Sequence, residues 1–525
     1  MPSAFPTSLL RVLDPLSSAP LTNGRTPRPT LYLGDQILVT GLPGLSQDAP
    51  LDLLRKVAAE HGVEVVTETL LNTRKPTRLT HAMREARVFG PIAERHREVL
   101  DRAWVTPVRL VSDHAPVDAW AILTQARRAD PGTARGLSLN HLVSLATPDY
   151  QGMPYYVSMP YYVSMPYYVS MPYYVSMPAG QYPSGQYTQP GSGGRAPVGV
   201  VLPDPALRRR PLKRHPLVVV IDTALGAHEW FADPQFATDE VYACGLRLGL
   251  GGDVPAVPPA PPQNPLDGSV PVDAGHATFI AGLLRQIAPE ARVQVVPLMD
   301  DAGRMPEGAL IQVLALLLVR HLDALADGTG EDLIDVLNLS LGYYHEDPDD
   351  TLEDAPLRAV LDAFGRAGTA VVCSAGNQST TDPLYPAAFA PVPGATPLDP
   401  GQVPLTCVGA LNPDRSTVAY FSNAGPWVST HRAGAALVST VPQGLDGELQ
   451  ATAGLMHDNR QRATIDPENF AGGFATWSGT SFAGPVLAGE IAVRLAADET
   501  LPECSTDQQV RRGWSAIEQV VGWRP

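Results

Sequence analysis

The run W-S-G-T-S-F-A-G-P, Trp477 to Pro485, decides how this chain is read. A turn of small residues delivers Ser481 to the start of an apolar helical stretch, Phe482 to Ala497. Pro485 falls in the expected first turn of that helix, where a missing N–H costs nothing. A serine so placed sits beside helix N–H groups that lack an intrahelical partner, at the positive end of the helix dipole. That environment suits a nucleophile whose reaction creates an oxyanion. Because small-residue helix starts are common, two upstream segments carry much of the weight.

The first is L-V-V-V-I-D-T, Leu217 to Thr223. Its continuous β-branched run reads as a buried parallel strand. Asp222 stands at the strand's C-terminal end, where α/β sheets place functional groups. The second is G-H-A-T-F-I-A-G-L-L, Gly275 to Leu284, where Phe279, Ile280, Leu283, Leu284 and Ile287 keep helical spacing. His276 therefore opens a helix. Singly, each segment has a plain reading: a strand-end cap for Asp222, a structural helix start for His276. Together, in the order Asp, His, Ser, they resemble the subtilisin-like serine protease family.

Further blocks fit that resemblance in the family's order, over roughly residues 215–498. V-L-N-L-S-L-G, Val336 to Gly342, is similar to the family strand lining the substrate cleft. V-V-C-S-A-G-N, Val371 to Asn377, is similar to the strand ending in the oxyanion-hole asparagine, and L-T-C-V-G-A, Leu405 to Ala410, to the next core strand. The resemblance implies an α/β fold, a parallel sheet with helices on both faces. It implies Ser481 as nucleophile, His276 as base and then acid, and Asp222 fixing the imidazole tautomer. Asn377 and the Ser481 N–H would bind the oxyanion. Substrate would contact Ser340, Leu341, Gly342, Ser374, Ala375 and Gly376. Two positions depart from the family pattern. Ala224 follows Thr223 where glycine is usual, and His276-Ala277-Thr278-Phe279 stands where His-Gly-Thr-His is usual. Neither change removes a catalytic group.

The chain of 525 residues has room for two or three domains and a large core. Its 38 Lys+Arg against 54 Asp+Glu disfavour non-specific nucleic-acid binding. With no uninterrupted apolar run of about 18 residues, no membrane span is expected. Met1 to Pro29 lacks the apolar core, roughly 7–15 residues, of a signal peptide. The cysteines are Cys244, Cys373, Cys407 and Cys504, too sparse for a disulfide scaffold. Cys373 and Cys407 fall on expected core strands and read as buried thiols. A cytoplasmic enzyme follows from these features. No cofactor or metal is implied by the spacing; calcium is frequent in the family, but no ligand loop is legible.

Residues 1–29 read as disordered. Residues 30–150 read as a small α/β or α+β domain of unknown role, a possible prodomain or regulatory domain. Within it, Ile37-Leu38-Val39 reads as strand, Leu51 to Glu60 as helix, Val63 to Val66 as strand, and Pro116 to Arg127 as helix with Asp113 or Ala115 near its start. Residues 151–214 read as a low-complexity linker. Met-Pro-Tyr-Tyr-Val-Ser occurs four times between Met153 and Ser176, and its prolines bar helix and central strand. The repeats read as an expanded spacer or as a docking ligand for a groove. R-R-R-P-L-K-R-H, Arg208 to His215, reads as a solvated flank or a processing site. Residues 215–500 form the expected catalytic domain in βα alternation, and 501–525 a C-terminal tail. Residues 442–475 form a polar connection that reads as a loop over the cleft or an insertion.

These features point to a serine endopeptidase acting on a protein or peptide substrate, its own N-terminal domain being a possible partner. Two other readings stay open: a catalytically silent binding or regulatory protein, or the protease module of a signalling protein. After the cleft-lining residues come His345, Glu346, Asp347, Asp349 and Asp350. By the resemblance they border substrate pockets, where carboxylates would favour basic side chains.

Overall fold

The computed structural model describes residues 10–67, 90–113, 116–145, 194–254, 268, 270–300, 302–347, 350, 352, 355–392, 394–395 and 397–525. Strands Leu10–Leu13 (β1), Thr30–Thr40 (β2), Glu64–Val66 (β3), Val105–Val111 (β4) and Leu137–Leu145 (β5) form an antiparallel sheet. Helices Asp48–Glu60 (α1), Gly90–Ala103 (α2) and Ala119–Ala129 (α3) lie between them in sequence. Alternate residues of β2 serve two cores, as the period of a strand requires. Ile37 and Val39 join Leu54 and Val57 of α1 and Trp120 and Leu123 of α3. Leu38 faces the other way, into the core of the larger domain. The N-terminal unit is therefore an antiparallel α+β layer whose second face the larger domain covers.

Two expectations are corrected here. Residues 10–29 are not disordered, because β1 pairs with β2 from Leu10↔Leu33 to Leu13↔Thr30. The N-cap of α3 is Asp118, which accepts from the Trp120 N–H at 3.1 Å. Asp113 lies outside the helix, and Ala115 lies outside the described residues.

The larger domain continues with Ala196–Pro197 (β6), Leu217–Asp222 (β7), Ala237–Thr238 (β8), and the hairpin Tyr242–Ala243 (β9) and Leu246–Arg247 (β10). His276–Ile287 (α4), Arg292–Pro297 (β11), Arg304–Pro306 (β12), Glu307–Asp327 (α5), Val336–Leu339 (β13) and Leu341–Tyr344 (β14) follow. Pro356–Arg366 (α6), Ala370–Ser374 (β15), Leu384–Tyr385 (β16), Thr406–Leu411 (β17) and Thr430–Ala433 (β18) come next. The chain closes with Leu437–Thr440 (β19), Gly454–His457 (β20), Arg460–Ala463 (β21), Phe474–Trp477 (β22), Thr480–Ala496 (α7) and Thr506–Val521 (α8).

Seven of these strands form a parallel sheet in the order β18-β17-β15-β13-β7-β11-β8. The β-branched run of β7 is buried on both faces. Val218 and Val220 pack with Phe279 and Ile280 of α4 and Leu487 and Ile491 of α7. Val219 and Ile221 pack on the other side with Leu314 and Leu318 of α5 and Phe364 of α6. The fold is the expected α/β parallel sheet with helices on both faces. Against the expectation of no membrane span, helix α5 is long and apolar enough to cross a membrane by length and composition. It is the helix wedged between the two sheets, and 67% of its apolar window is buried.

The last part of the expected linker 151–214 is docked rather than free. Arg208 donates to the Gln286 carbonyl, Arg210 pairs with Glu290, and Arg214 is buried against Asp335 at 2.7 Å. Arg208 to Arg214 is thus neither a solvated flank nor an open processing site. The C-terminal segment is no loose tail either: α8 buries Trp514 and Ile517 in the core shared with α7. Residues 442–475 carry an exposed hairpin, β20 with β21.

Candidate active site

Asp222 ends β7, and His276 is the first residue of α4. His276 Nδ1 lies 2.9 Å from each Asp222 carboxylate oxygen. The carboxylate is held by Thr223, whose N–H and hydroxyl donate to Oδ1 at 2.8 and 3.2 Å. Thr223 Oγ1 in turn accepts from the Ala277 N–H at 3.1 Å. One threonine therefore ties the strand end to the helix start. The departures from the family pattern fit: Ala277 is buried, and Phe279 packs on Trp477 and Phe482 at centroid distances of 5.7 and 4.5 Å.

Ser481 is the second residue of α7, whose start is Thr480 rather than Phe482. Pro485 is therefore the sixth helical residue, not one of the first turn. An N–H there would have bonded the Ser481 carbonyl. That carbonyl accepts instead from the Ser340 hydroxyl at 2.9 Å. The proline thus releases an acceptor that ties the Ser481 backbone to Ser340, between β13 and β14. The Thr480 carbonyl is held likewise by the Ser374 hydroxyl at 2.9 Å, and Asn338 Nδ2 supports Ser340 Oγ at 3.0 Å.

Asn377 Oδ1 accepts from the Thr480 N–H at 2.9 Å. That bond fixes the amide at the start of α7, leaving Nδ2 as its donating end. Gly376 makes the approach possible: its N–H donates to Thr480 Oγ1 at 3.1 Å, its φ is +101°, and a Cβ there would stand 2.3 Å from Asn423 Nδ2. Ala375 holds the strand end in place through its N–H to the Val408 carbonyl at 3.0 Å.

Asp222, His276 and Ser481 are each 0% exposed, and Asn377 is 1% exposed. His276 Nε2 makes no hydrogen bond among the described residues, and Ser481 Oγ lies 3.4 Å from the Ser340 carbonyl. Nucleophile–base contacts are commonly loose until substrate binds. What fills the neighbouring cleft is the chain itself. β5 runs antiparallel between β12 and β14, pairing Met305↔Val143, Leu341↔Leu145 and Gly342↔Ser144. The Leu145 N–H donates to the Gly303 carbonyl at 2.9 Å. Leu341 and Gly342, expected to meet substrate, thus meet the N-terminal unit. The sequence reading missed β5, although L-S-L-N-H-L-V-S-L shows the alternation that marks a strand.

The acidic run after the cleft also turns to the N-terminal unit. Glu346 is buried; Oε1 accepts from Arg127 at 3.2 Å, and Oε2 lies 2.9 Å from His141 Nε2. His141 Nδ1 lies 2.6 Å from Glu307, at the start of α5. Glu346 is therefore not part of a substrate pocket for basic residues. Asp349 lies outside the described residues. His141, His345 and Glu346 are close enough to hold a metal ion. Yet His345 Nδ1 accepts from the Asp347 N–H at 3.1 Å, which puts the ring proton on Nε2, facing Glu346. Both nitrogens of His141 face carboxylates. The group is satisfied as a buried charge network. Cys373 and Cys407 are buried neighbours on β15 and β17, and burial pushes both thiols up.

An aspartate-oriented histidine and a helix-start serine on a parallel α/β sheet define a serine-peptidase type of site. Residues 271–512 match the model of the Subtilase family. It is 26% identical over 233 residues to the intracellular serine protease of Paenibacillus polymyxa, covering 42% of this chain and 53% of that protein. It is 31% identical over 160 residues to the subtilisin-like protease het-Q2 of Podospora anserina, covering 30% of this chain and 39% of that one. The chain thus spans about half the length, or less, of these curated relatives. Among solved structures it is similar to fervidolysin from Fervidobacterium pennivorans, with TM-score 0.43, 17% identity, and coverage of 88% of this chain and 55% of that one. A cold-adapted subtilisin-like serine proteinase gives TM-score 0.34 and 18% identity, covering 58% of this chain and 86% of that one.

Proposed function

We propose that this protein is a serine endopeptidase that works through an acyl-enzyme and is held closed by its own N-terminal unit. Ser481 Oγ attacks the substrate carbonyl while His276 Nε2 takes its proton. His276 then returns a proton to the leaving amine. Asp222 holds the imidazole through Nδ1 and stabilises the imidazolium without becoming protonated. Asn377 Nδ2 and the Ser481 N–H receive the oxyanion. The observation that carries this reading is the contact of both Asp222 oxygens with His276 Nδ1 at 2.9 Å, beside a serine at the second position of α7. Substrate is a protein or peptide that adds as a strand between β12 and β14, in the place β5 now takes. Reaction with a fluorophosphonate tests the assignment once the cleft is opened: Leu145→Asp is labelled at one site, and Leu145→Asp carrying Ser481→Ala is not. Labelling of both at the same rate would remove Ser481 as nucleophile.

The complete burial of Ser481 and His276 favours a second reading, a silent binding protein that keeps the fold. The two separate on opening the cleft. A closed peptidase gains fluorophosphonate reactivity when β5 is displaced, for example by Leu145→Asp, whereas a silent protein stays unlabelled.

A further inference from the structure

Arg195 belongs to neither the family-matched span nor the expected catalytic domain. It enters from the end of the linker and is nonetheless fully buried. Its Nη1 donates to the Val272 and Ala274 carbonyls, both at 2.7 Å, and Nη2 donates to the Pro271 carbonyl at 3.2 Å. Its guanidinium carbon lies 5.0 Å from the Trp477 ring centroid and 5.8 Å from that of Phe470. Burial draws its pKa down to about 10, with Asp273 and Glu468 opposing, so it is charged at neutral pH.

These contacts surround His276 on two sides. The turn that Arg195 ties, Pro271 to Ala274, leads directly into α4, and the His276 N–H donates to the Asp273 carbonyl at 3.0 Å. Trp477 stands edge-on to the His276 ring at 5.6 Å and 88°. The next residues, Ala196 and Pro197, pair with Thr476 and Ala475 on the strand that leads to Ser481. One side chain thus braces both the backbone that presents the histidine and the ring that packs on its imidazole.

We propose that Arg195 is a positioning residue for His276, so that the working enzyme begins before Gly194 and a cut that frees the N-terminal unit falls between Leu145 and Gly194. The inference rests on the peptidase reading above. It acts through orientation, where a displacement of about 1 Å can cost on the order of 10²-fold in rate.

The test is steady-state peptide hydrolysis by Arg195→Ala and Arg195→Lys in the opened Leu145→Asp protein, with fluorophosphonate labelling of that parent alongside. Arg195→Ala is expected to lower kcat by roughly 10- to 100-fold with KM changed less than about threefold. Added ethylguanidinium should restore much of that loss, because it can bridge the three carbonyls. Arg195→Lys should stay low, since an ammonium cannot span them in a planar fork. Unchanged kcat in Arg195→Ala, or a loss that the guanidinium does not relieve, overturns the inference. A cut made after folding removes any dependence on variant folding. A site-specific protease sequence placed at the exposed Val200–Val201 should cost activity once the released part is removed. The same sequence placed just before Gly194 should not. Equal activity after either cut also overturns the inference. An unlabelled Leu145→Asp parent would overturn both readings, whereas a labelled parent with unaffected Arg195 variants would overturn this one alone.

Discussion

Ser144 of the N-terminal unit stands directly opposite Gly342 of the cleft strand, in antiparallel register. Both residues lie in one continuous sheet, in which β5 pairs with β2 along its first part and runs between β12 and β14 at its end. The N-terminal unit therefore closes the cleft with the backbone bonds that an extended peptide would use. Its opposite face shares a hydrophobic core with α5, where Leu38 and Trp104 join Leu310 and Ile311. Closure and packing are one structural event, and removing the strand from the cleft exposes part of that core.

The first prediction concerns self-cleavage. The register Leu341↔Leu145 brings the chain to within one residue of Ser340, whose carbonyl faces Ser481 Oγ at 3.4 Å. The first cut is therefore expected within residues 146–150. Intact-mass measurement of wild type and Ser481→Ala after incubation checks this. Wild type should yield two fragments divided there, while Ser481→Ala stays whole. A first cut within Arg208 to Arg214 would contradict the docking of that segment.

The second prediction separates the catalytic roles. Ser481→Ala and His276→Ala should leave only the residual rate that binding and the oxyanion donors provide. Asp222→Asn should cost on the order of 10⁴ in kcat, because it favours the wrong imidazole tautomer. Asn377→Ala should cost roughly 10²–10³, a magnitude carried over from the corresponding donor in subtilisin. Single-turnover rates on a peptide substrate measure each. An Asn377→Ala rate within twofold of wild type would rule out Asn377 as the oxyanion donor.

The large domain was legible because each chemical group sits at the end of a strand or the start of a helix whose pattern is strong over several residues. Val218 to Ile221 announces β7, and the helical spacing from Phe279 to Ile287 announces α4. Contacts between distant segments were not legible. Nothing near His141 in sequence signals Glu307 or Glu346, which lie 166 and 205 residues away. Arg195 follows a Gly/Ser-rich tract, and composition assigned it to the linker. The start of α7 was misjudged by two residues, because the small residues Gly479 and Thr480 mark the turn as readily as the helix.

The third prediction concerns the strap after the linker. Arg214 forms a bidentate pair with Asp335 at 3.1 and 2.7 Å, and donates to the Gly330, Leu333 and Leu501 carbonyls. Asp335 also accepts from the Leu217 N–H, at the start of β7. Removing one partner of such a buried pair leaves the other uncompensated and typically costs about 3–5 kcal/mol. Arg214→Ala should therefore lose most of the stability of the large domain, read as a lower urea midpoint. A shift worth less than about 1 kcal/mol, the range of a surface pair, would show the strap to be dispensable.

The last prediction concerns pH and the closure of the cleft. His141 is buried between Glu307 and Glu346, stacked on Tyr343 at 4.6 Å and tilted against His345 at 5.4 Å. Arg127, Arg135, Asp347 and Asp350 also face this network. Burial alone would lower the pKa of His141, but the two carboxylates outweigh it and raise it from 6.5 to about 9. Burial opposes ionisation of Glu346, yet His345, His141 and Arg127 hold it well below its ordinary 4.5. The signs follow by linkage. The His141 contribution is complete below pH 6.5 and is lost as pH rises through about 9. The Glu346 contribution is present above 4.5 and is lost only as pH falls well below that value. Docking of β5 should thus be strongest between these limits and weaken in alkali, when two carboxylates face a neutral ring. Hydrogen exchange of residues 137–145 in Ser481→Ala, corrected for the intrinsic pH dependence of exchange, measures it. Protection should hold from mildly acid to neutral pH and fall above about 9. His141→Gln should show low protection throughout, because its amide cannot neutralise both acids. Constant protection through the alkaline range in the His141 protein would mean that the imidazolium does not fasten the strand.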